Sequence, residues 1–92
     1  MREVTVAATQ MACSWDREAN CRRASGLVAE AAAAGAQVVL LQELFETPYF
    51  CIEQRPEHFA LASERGDNAL LNRFRELART HRVVLPVSWF ER

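Results

Sequence analysis

The chain has 92 residues, of which 50% are apolar and 25% are charged, and its formal net charge is -1. This length and composition predict one small soluble globular domain and exclude wholesale disorder or a fibrous repeat. All 11 basic residues are arginines. They alternate with acidic residues instead of forming a basic stripe, so neither nucleic acid nor an anionic membrane is an expected partner.

The sequence has no targeting or membrane-spanning signal. No apolar run approaches the roughly 20 residues that span a bilayer, and the N-terminus leads directly into a strand-like segment, so we expect a cytoplasmic protein. The cysteines, Cys13, Cys21 and Cys51, are odd in number and lack the spacing of a zinc site. Reduced thiols are therefore expected, without a disulfide framework or a bound metal.

The first predicted elements are a strand and a helix. Residues 4–10 form a short β-branched, apolar run that is typical of a strand buried on both faces. Ser14 or Asp16 can cap a helix over residues 16–34, in which apolar residues recur at helical spacing. Gly35 supplies the C-terminal stop of this helix.

The second predicted strand, residues 38–41, leads directly into Gln42 and Glu43. The β-α-β order favours two parallel strands with a right-handed crossover. Ligands of open α/β sheets bind outside the carboxyl ends of the strands, so Glu43 stands where a catalytic base would be useful. The alternative is a carboxylate that merely ends a strand. Residues 44–56 then form an irregular loop with two prolines and three aromatic residues.

Two helices and a third strand follow the loop. A short helix is predicted over residues 56–61, and an amphipathic helix over residues 69–81. The apolar face of the longer helix consists of Leu70, Leu71, Phe74, Leu77 and Ala78. Residues 83–90 predict a third strand, in which Pro86 removes one backbone donor and indicates an edge, a bulge or a strand end.

Three segments resemble the nitrilase superfamily of carbon–nitrogen hydrolases: residues 6–11, residues 35–41 and, most specifically, residues 42–51, which read Gln-Glu-Leu-Phe-Glu-Thr-Pro-Tyr-Phe-Cys. The resemblance runs across essentially the whole chain, and within the superfamily it is strongest to the N-carbamoylputrescine amidases. It implies an α/β fold that is the N-terminal part of an α-β-β-α sandwich, in the order β-α-β-loop-α-β. Residues 1–92 are then a partial carbon–nitrogen hydrolase domain.

The resemblance also implies roles for single residues. In this family catalysis uses Glu, Lys and Cys, and the position of the glutamate matches Glu43, which would act as a general base in a site without water. Tyr49 and Phe50 either line the substrate pocket or pack in the core. Cys51 matches the family loop and not the nucleophile. Because the family Lys and Cys lie beyond residue 92, the chain alone is expected to be inactive.

The implied reaction belongs to polyamine biosynthesis. The complete enzyme would hydrolyse a small-molecule N-carbamoyl amine, N-carbamoylputrescine, through an S-carbamoyl enzyme to putrescine, carbon dioxide and ammonia. The resemblance implies no metal and no organic cofactor, and a homo-oligomer when the protein is complete. Whether the 92 residues are a fragment, a truncated product or part of a split gene stays open.

The sequence also allows other functions. A related amidohydrolase would act on an N-carbamoyl amino acid or a β-ureido acid, which carries a carboxylate instead of an ammonium group. A non-catalytic interaction module would recruit a partner through its apolar sheet face or edge. A nucleotide-binding domain is disfavoured because neither a GxGxxG motif nor a P-loop is present.

Several conspicuous side chains are interpreted as structural. Glu46 is expected to be a loop carboxylate, with contact to a cationic substrate tail as the alternative. His58 and His81 have no carboxylate or thiol at metal-ligand spacing. Trp15 and Trp89 either pack in the core or contribute to a subunit interface.

Overall fold

The structure, a computed structural model, describes residues 2–92. Its regular elements are, in chain order, strand β1 (Val6–Ala8), helix α1 (Arg17–Ala33), strand β2 (Val38–Leu40) and helix α2 (Ala69–His81). Two 3₁₀ helices, Phe50–Ile52 and Pro56–Leu61, lie between β2 and α2. The short helix predicted over residues 56–61 and the helix predicted over residues 69–81 are thus confirmed.

The two strands are parallel, with Val6 opposite Val38 and Ala8 opposite Leu40. This confirms the β-α-β unit, although β1 has three residues and is shorter than predicted. On either side of β1, a backbone N–H donates to a glutamine side chain instead of a backbone carbonyl. The N–H of Thr5 donates to Oε1 of Gln37 at 3.0 Å, and the N–H of Met11 donates to Oε1 of Gln42 at 2.9 Å.

One face of the sheet is buried and the other is open. Val39 is 0% exposed beneath the helices, whereas Val6 and Leu40 on the opposite face are 69% and 52% exposed. The prediction that the first strand is buried on both faces is therefore wrong for this chain. Helices α1 and α2 share one core with Val39, and residues 2–92 place no second layer on the other face.

Helix α1 has the boundaries that its terminal residues predict. Oδ1 of Asp16 accepts a hydrogen bond from the N–H of Ala19 at 3.0 Å, which identifies Asp16 as the cap. At the other end Gly35 has a φ of 99°. The N–H groups of Gly35 and Ala36 donate to the carbonyl oxygens of Ala32 and Ala31, each at 3.0 Å, a Schellman motif that requires this left-handed residue.

Helix α2 packs against α1 and contributes Leu70 and Phe74 to the core. Oδ1 of Asn68 accepts from the N–H of Leu71 at 3.1 Å and so caps the helix. Leu70 and Phe74 are buried with 6% and 1% exposure. The helix ends at His81, and the capping residue Arg82 has a φ of 53° in the left-handed region.

The prediction of a full third strand is wrong. Residues 83–90 form a single parallel bridge beside β2, with Val84 opposite Val38. The N–H of Val84 donates to the carbonyl of Gln37, and the N–H of Val39 donates to the carbonyl of Val84, both at 2.9 Å. The next ladder bond on this segment would need the N–H of residue 86, and Pro86 has none.

Candidate active site

Glu43 lies at the carboxyl end of β2, in a turn over residues 43–46. Its side chain is exposed, so the described residues do not themselves provide the water-free site that the family resemblance implies. The next residue, Leu44, has a φ of 51°. A leucine in this left-handed region is uncommon, and such strained residues cluster at functional sites.

The strained residue is held from the C-terminal segment. The N–H of Leu44 donates to Oγ of Ser88 at 3.1 Å. No sequence pattern predicted a role for Ser88. The available signal was a hydroxyl two residues after Pro86 in an otherwise apolar segment, which is a donor and acceptor with no obvious partner.

A chain of hydrogen bonds joins the turn to the segment that follows β1. Besides accepting from Met11, Gln42 donates from Nε2 to Sγ of Cys13 at 3.3 Å. The thiol of Cys13 donates to the carbonyl oxygen of Phe45 at 3.2 Å. Burial raises the pKa of the Cys13 thiol, with Arg23 acting in the opposite direction. Cys13 therefore keeps the proton that this hydrogen bond uses.

Helix α1 fixes the far end of the turn through Asn20, which is 3% exposed. Its Nδ2 donates to the carbonyl oxygens of Ser14 at 2.7 Å and Glu46 at 2.9 Å. Its Oδ1 accepts from the N–H of Ser14 at 3.0 Å. Asn20 was missed because a single asparagine in the first turns of a helix carries no pattern that predicts a tertiary role.

The carboxylate of Glu46 is occupied by an ion pair. Nη2 of Arg17 lies 2.6 Å from its Oε1. The side chain of Glu46 is 22% exposed and that of Arg17 is 42% exposed, so the pair joins the start of α1 to the loop at a partly solvated position. This contact agrees with the structural role predicted for Glu46.

The structure brings Tyr49 to Glu43. The pKa of Tyr49 lies above its ordinary value of 10.0, chiefly because the negative charge of Glu43 disfavours the phenolate, and next because of Cys51. The Tyr49 side chain is 47% exposed. Tyr49 is therefore an exposed phenol within electrostatic range of the candidate base.

Phe50 has different surroundings from its neighbour Tyr49. It is 6% exposed, and its ring centroid lies 5.3 Å from that of His58 and 5.1 Å from that of Phe90. Together with Phe59 these residues line an apolar cleft of about 340 Å³. His58 also stacks with Trp15, at a centroid separation of 5.9 Å.

The turn over residues 43–46 presents one exposed carboxylate, that of Glu43. Acyl transfer requires a nucleophile, a base and donors for the developing oxyanion, and of these Glu43 is a candidate for the base. Within residues 2–92 no three His, Cys, Asp or Glu side chains gather in a way that would hold a metal ion. None of the described helices combines the length and apolar character needed to cross a membrane.

Comparison with known proteins gives one consistent result. The sequence profile of the carbon-nitrogen hydrolase family matches residues 5–92. N-carbamoylputrescine amidases of Arabidopsis thaliana and Oryza sativa subsp. japonica are 46% and 45% identical over 98% and 97% of the chain. A citrullinase of Francisella tularensis is 30% identical over 100% of the chain. The chain spans 30% of the length of each amidase and 32% of the citrullinase.

Proposed function

The chain belongs to the carbon–nitrogen hydrolase family, and we propose that it is the N-terminal part of an enzyme that hydrolyses N-carbamoylputrescine to putrescine, carbon dioxide and ammonia. The observation that carries the substrate is the 44–46% identity to four N-carbamoylputrescine amidases over 97–98% of the chain. Membership of a hydrolase family also favours an enzyme over an interaction module.

We assign Glu43 as the general base of this reaction. In the first step the nucleophilic thiol, supplied by a cysteine beyond residue 92, attacks the carbamoyl carbon while Glu43 takes the thiol proton and passes it to the departing putrescine nitrogen. In the second step Glu43 removes a proton from the water that cleaves the S-carbamoyl bond. The thiol returns and the carbamic acid released breaks down to carbon dioxide and ammonia.

The position of Glu43 supports this assignment. It follows β2 at the carboxyl end of a parallel pair, where ligands of α/β sheets collect. Its turn is braced by Ser88, Cys13 and Asn20. A braced turn keeps the backbone of Glu43 in one place, which limits the positions its carboxylate can reach, and positioning of this kind favours efficient proton transfer.

We assign substrate contact to Tyr49 and loop support to Phe50. Tyr49 is exposed within electrostatic range of Glu43, and a phenol is neutral at neutral pH, so its hydroxyl can both donate to and accept from a substrate. Phe50 is buried against His58 and Phe90. Of the two roles that the sequence allows, this burial favours packing for Phe50.

The open face of the sheet supports the sandwich architecture. Val6, Leu40 and Val84 are 69%, 52% and 61% exposed on the part of the sheet that the helices leave uncovered. An apolar sheet face is stable when a second layer buries it. In the complete protein we assign that layer to the second sheet of an α-β-β-α sandwich, which would also enclose the site around Glu43, and we expect the complete enzyme to be a homo-oligomer.

The similarity to a citrullinase favours a second candidate substrate, an N-carbamoyl amino acid. The experiment compares kcat/KM of the full-length protein on N-carbamoylputrescine, on citrulline and on a β-ureido acid. We expect the highest value for N-carbamoylputrescine, which carries only a cationic group besides the carbamoyl group. A higher value for either carboxylate-bearing substrate would reject our choice. A full-length sequence without a downstream lysine and cysteine would reject the enzymatic mechanism itself.

A further inference from the structure

Ser88 continues a contact that the backbone ladder can no longer make. The segment after α2 pairs with β2 through Val84, and the pairing stops because Pro86 has no N–H. Two residues later Oγ of Ser88 accepts the N–H of Leu44 at 3.1 Å. A side-chain hydroxyl thereby joins this segment to the turn that follows β2.

The recipient of this hydrogen bond is an unusual residue. Among the described residues, the non-glycine residues with positive φ are Leu44, Gln54, Asp67 and Arg82. Leu44 alone in this group is apolar, so it lacks the short polar side chain that makes this conformation easier for asparagine and aspartate. A strained backbone of this kind persists only when its surroundings hold it.

The strained residue, Leu44, directly follows the candidate base, Glu43. The peptide bond between Glu43 and Leu44 connects the two residues, and Ser88 holds its N–H. The φ angle of Leu44 sets the direction in which the chain continues after this peptide bond. Glu43 is exposed at the surface of this chain, and its side chain has no hydrogen-bond partner among those found in residues 2–92. Among the described residues, the backbone of the turn therefore sets the position of Glu43 and the direction of its Cα–Cβ bond.

We propose that Ser88 is a positioning residue for Glu43: its hydroxyl fixes the peptide between Glu43 and Leu44 and thereby the point from which the Glu43 side chain extends. This inference rests on the proposed function of Glu43. It places Ser88 outside contact with the substrate, so its loss should lower the rate of proton transfer and leave substrate binding largely intact.

The test uses Ser88→Ala, which removes the hydroxyl, and Ser88→Thr, which keeps it, in the full-length protein. The matched control is Ser25→Ala, because Oγ of Ser25 also bonds a backbone group, donating to the carbonyl of Cys21 at 2.8 Å. Misplacement of a catalytic group by about 1 Å can cost about 100-fold in rate. We expect Ser88→Ala to lower kcat on N-carbamoylputrescine at least about 10-fold with KM nearly unchanged, and Ser88→Thr and Ser25→Ala to keep the parent kcat.

Hydrogen exchange separates this inference from the proposed function. Amide exchange of the peptide covering residues 43–47 should be faster in Ser88→Ala than in the parent, and unchanged in Ser25→Ala, whichever substrate the enzyme uses. If the parent has no activity but this exchange pattern is found, the proposed substrate is wrong, whereas the hydrogen bond between Leu44 and Ser88 does hold the turn. Unchanged exchange in Ser88→Ala, a kcat within about twofold of the parent, or an equal loss of kcat in Ser88→Thr would overturn the positioning role.

Discussion

The ring of Phe45 meets the ring of Phe74 edge to face, with centroids 5.1 Å apart and planes inclined by 68°. Both side chains are 1% exposed. Phe45 lies two residues after Glu43, and Phe74 lies in the middle of helix α2. The turn that carries the candidate base is therefore anchored in the core by a helix nearly thirty positions further along the chain.

Phe74→Ala should destabilise the 92-residue chain strongly. Removal of a buried phenylalanine side chain costs about 3–5 kcal/mol through lost burial and the cavity it leaves, which is a large part of the stability of a small domain. Urea unfolding followed by circular dichroism measures the loss. Phe59→Ala is the matched control, because Phe59 is 73% exposed and its loss should change the free energy of unfolding by less than about 0.5 kcal/mol. Equal losses for both variants would contradict the packing described.

Asn20→Ala should release the loop that follows β2. The change removes three partly buried hydrogen bonds, to the N–H and carbonyl of Ser14 and to the carbonyl of Glu46, and a hydrogen bond typically contributes about 0.5–1.5 kcal/mol. We expect the midpoint of urea unfolding to fall and the amides of residues 44–47 to exchange faster. Asn72→Ala, at an exposed position on α2, should do neither. Unchanged exchange in Asn20→Ala would show that the hydrogen bonds of Asn20 do not hold the loop.

The proximity of Tyr49 to Glu43 can be measured directly, because the chain contains one tyrosine. The negative charge of Glu43 raises the pKa of Tyr49, so Glu43→Gln should lower that pKa towards its ordinary value. Titration of the phenolate absorbance in the 92-residue chain gives the shift. Glu46→Gln, in which the lost carboxylate is paired with Arg17, should leave the titration where it is. A Tyr49 pKa that is the same in Glu43→Gln and in the parent would show that the charge of Glu43 does not act on Tyr49.

The three thiols should differ in reactivity. Burial raises the pKa of Cys13 and Cys21 above the ordinary thiol value of 9.0, and Glu46 raises that of Cys21 further, so at neutral pH less of each is the reactive thiolate. Cys51 is exposed. Labelling of the folded chain with a maleimide at pH 7 should therefore modify Cys51 first, and Cys51→Ser should remove the fast phase. Fast labelling of Cys21 in the folded state would contradict its burial.

Local sequence signals predicted the helices well. Asp16 and Gly35 marked the ends of α1 because a cap and a left-handed stop act within one helical turn. The periodic apolar residues of α2 likewise located a helix whose buried face carries Leu70 and Phe74. The β-α-β order predicted the parallel pair because few alternative topologies satisfy it.

The errors arose where distant segments decide the outcome. The extent of burial of the first strand depends on what covers each sheet face, and the pairing of residues 83–90 depends on which backbone N–H Pro86 removes. The same limit applies to the site. The sequence placed Glu43 at a strand end, but its supports come from residues up to 44 positions away, and neither Ser88 nor Asn20 has a local pattern that reveals the contact.

The role of Glu43 as general base is best tested with Glu43→Gln in the full-length protein, because the change keeps the shape of the side chain and removes its ability to take a proton. The measurement is kcat on N-carbamoylputrescine, with thermal unfolding to confirm that the fold is kept and Glu76→Gln, on the exposed face of α2, as the matched control. General base catalysis contributes about 100- to 10,000-fold, so we expect Glu43→Gln to lose at least about 100-fold in kcat and Glu76→Gln to keep the parent rate. A folded Glu43→Gln enzyme with near-parent kcat would contradict the assignment of Glu43 as the base.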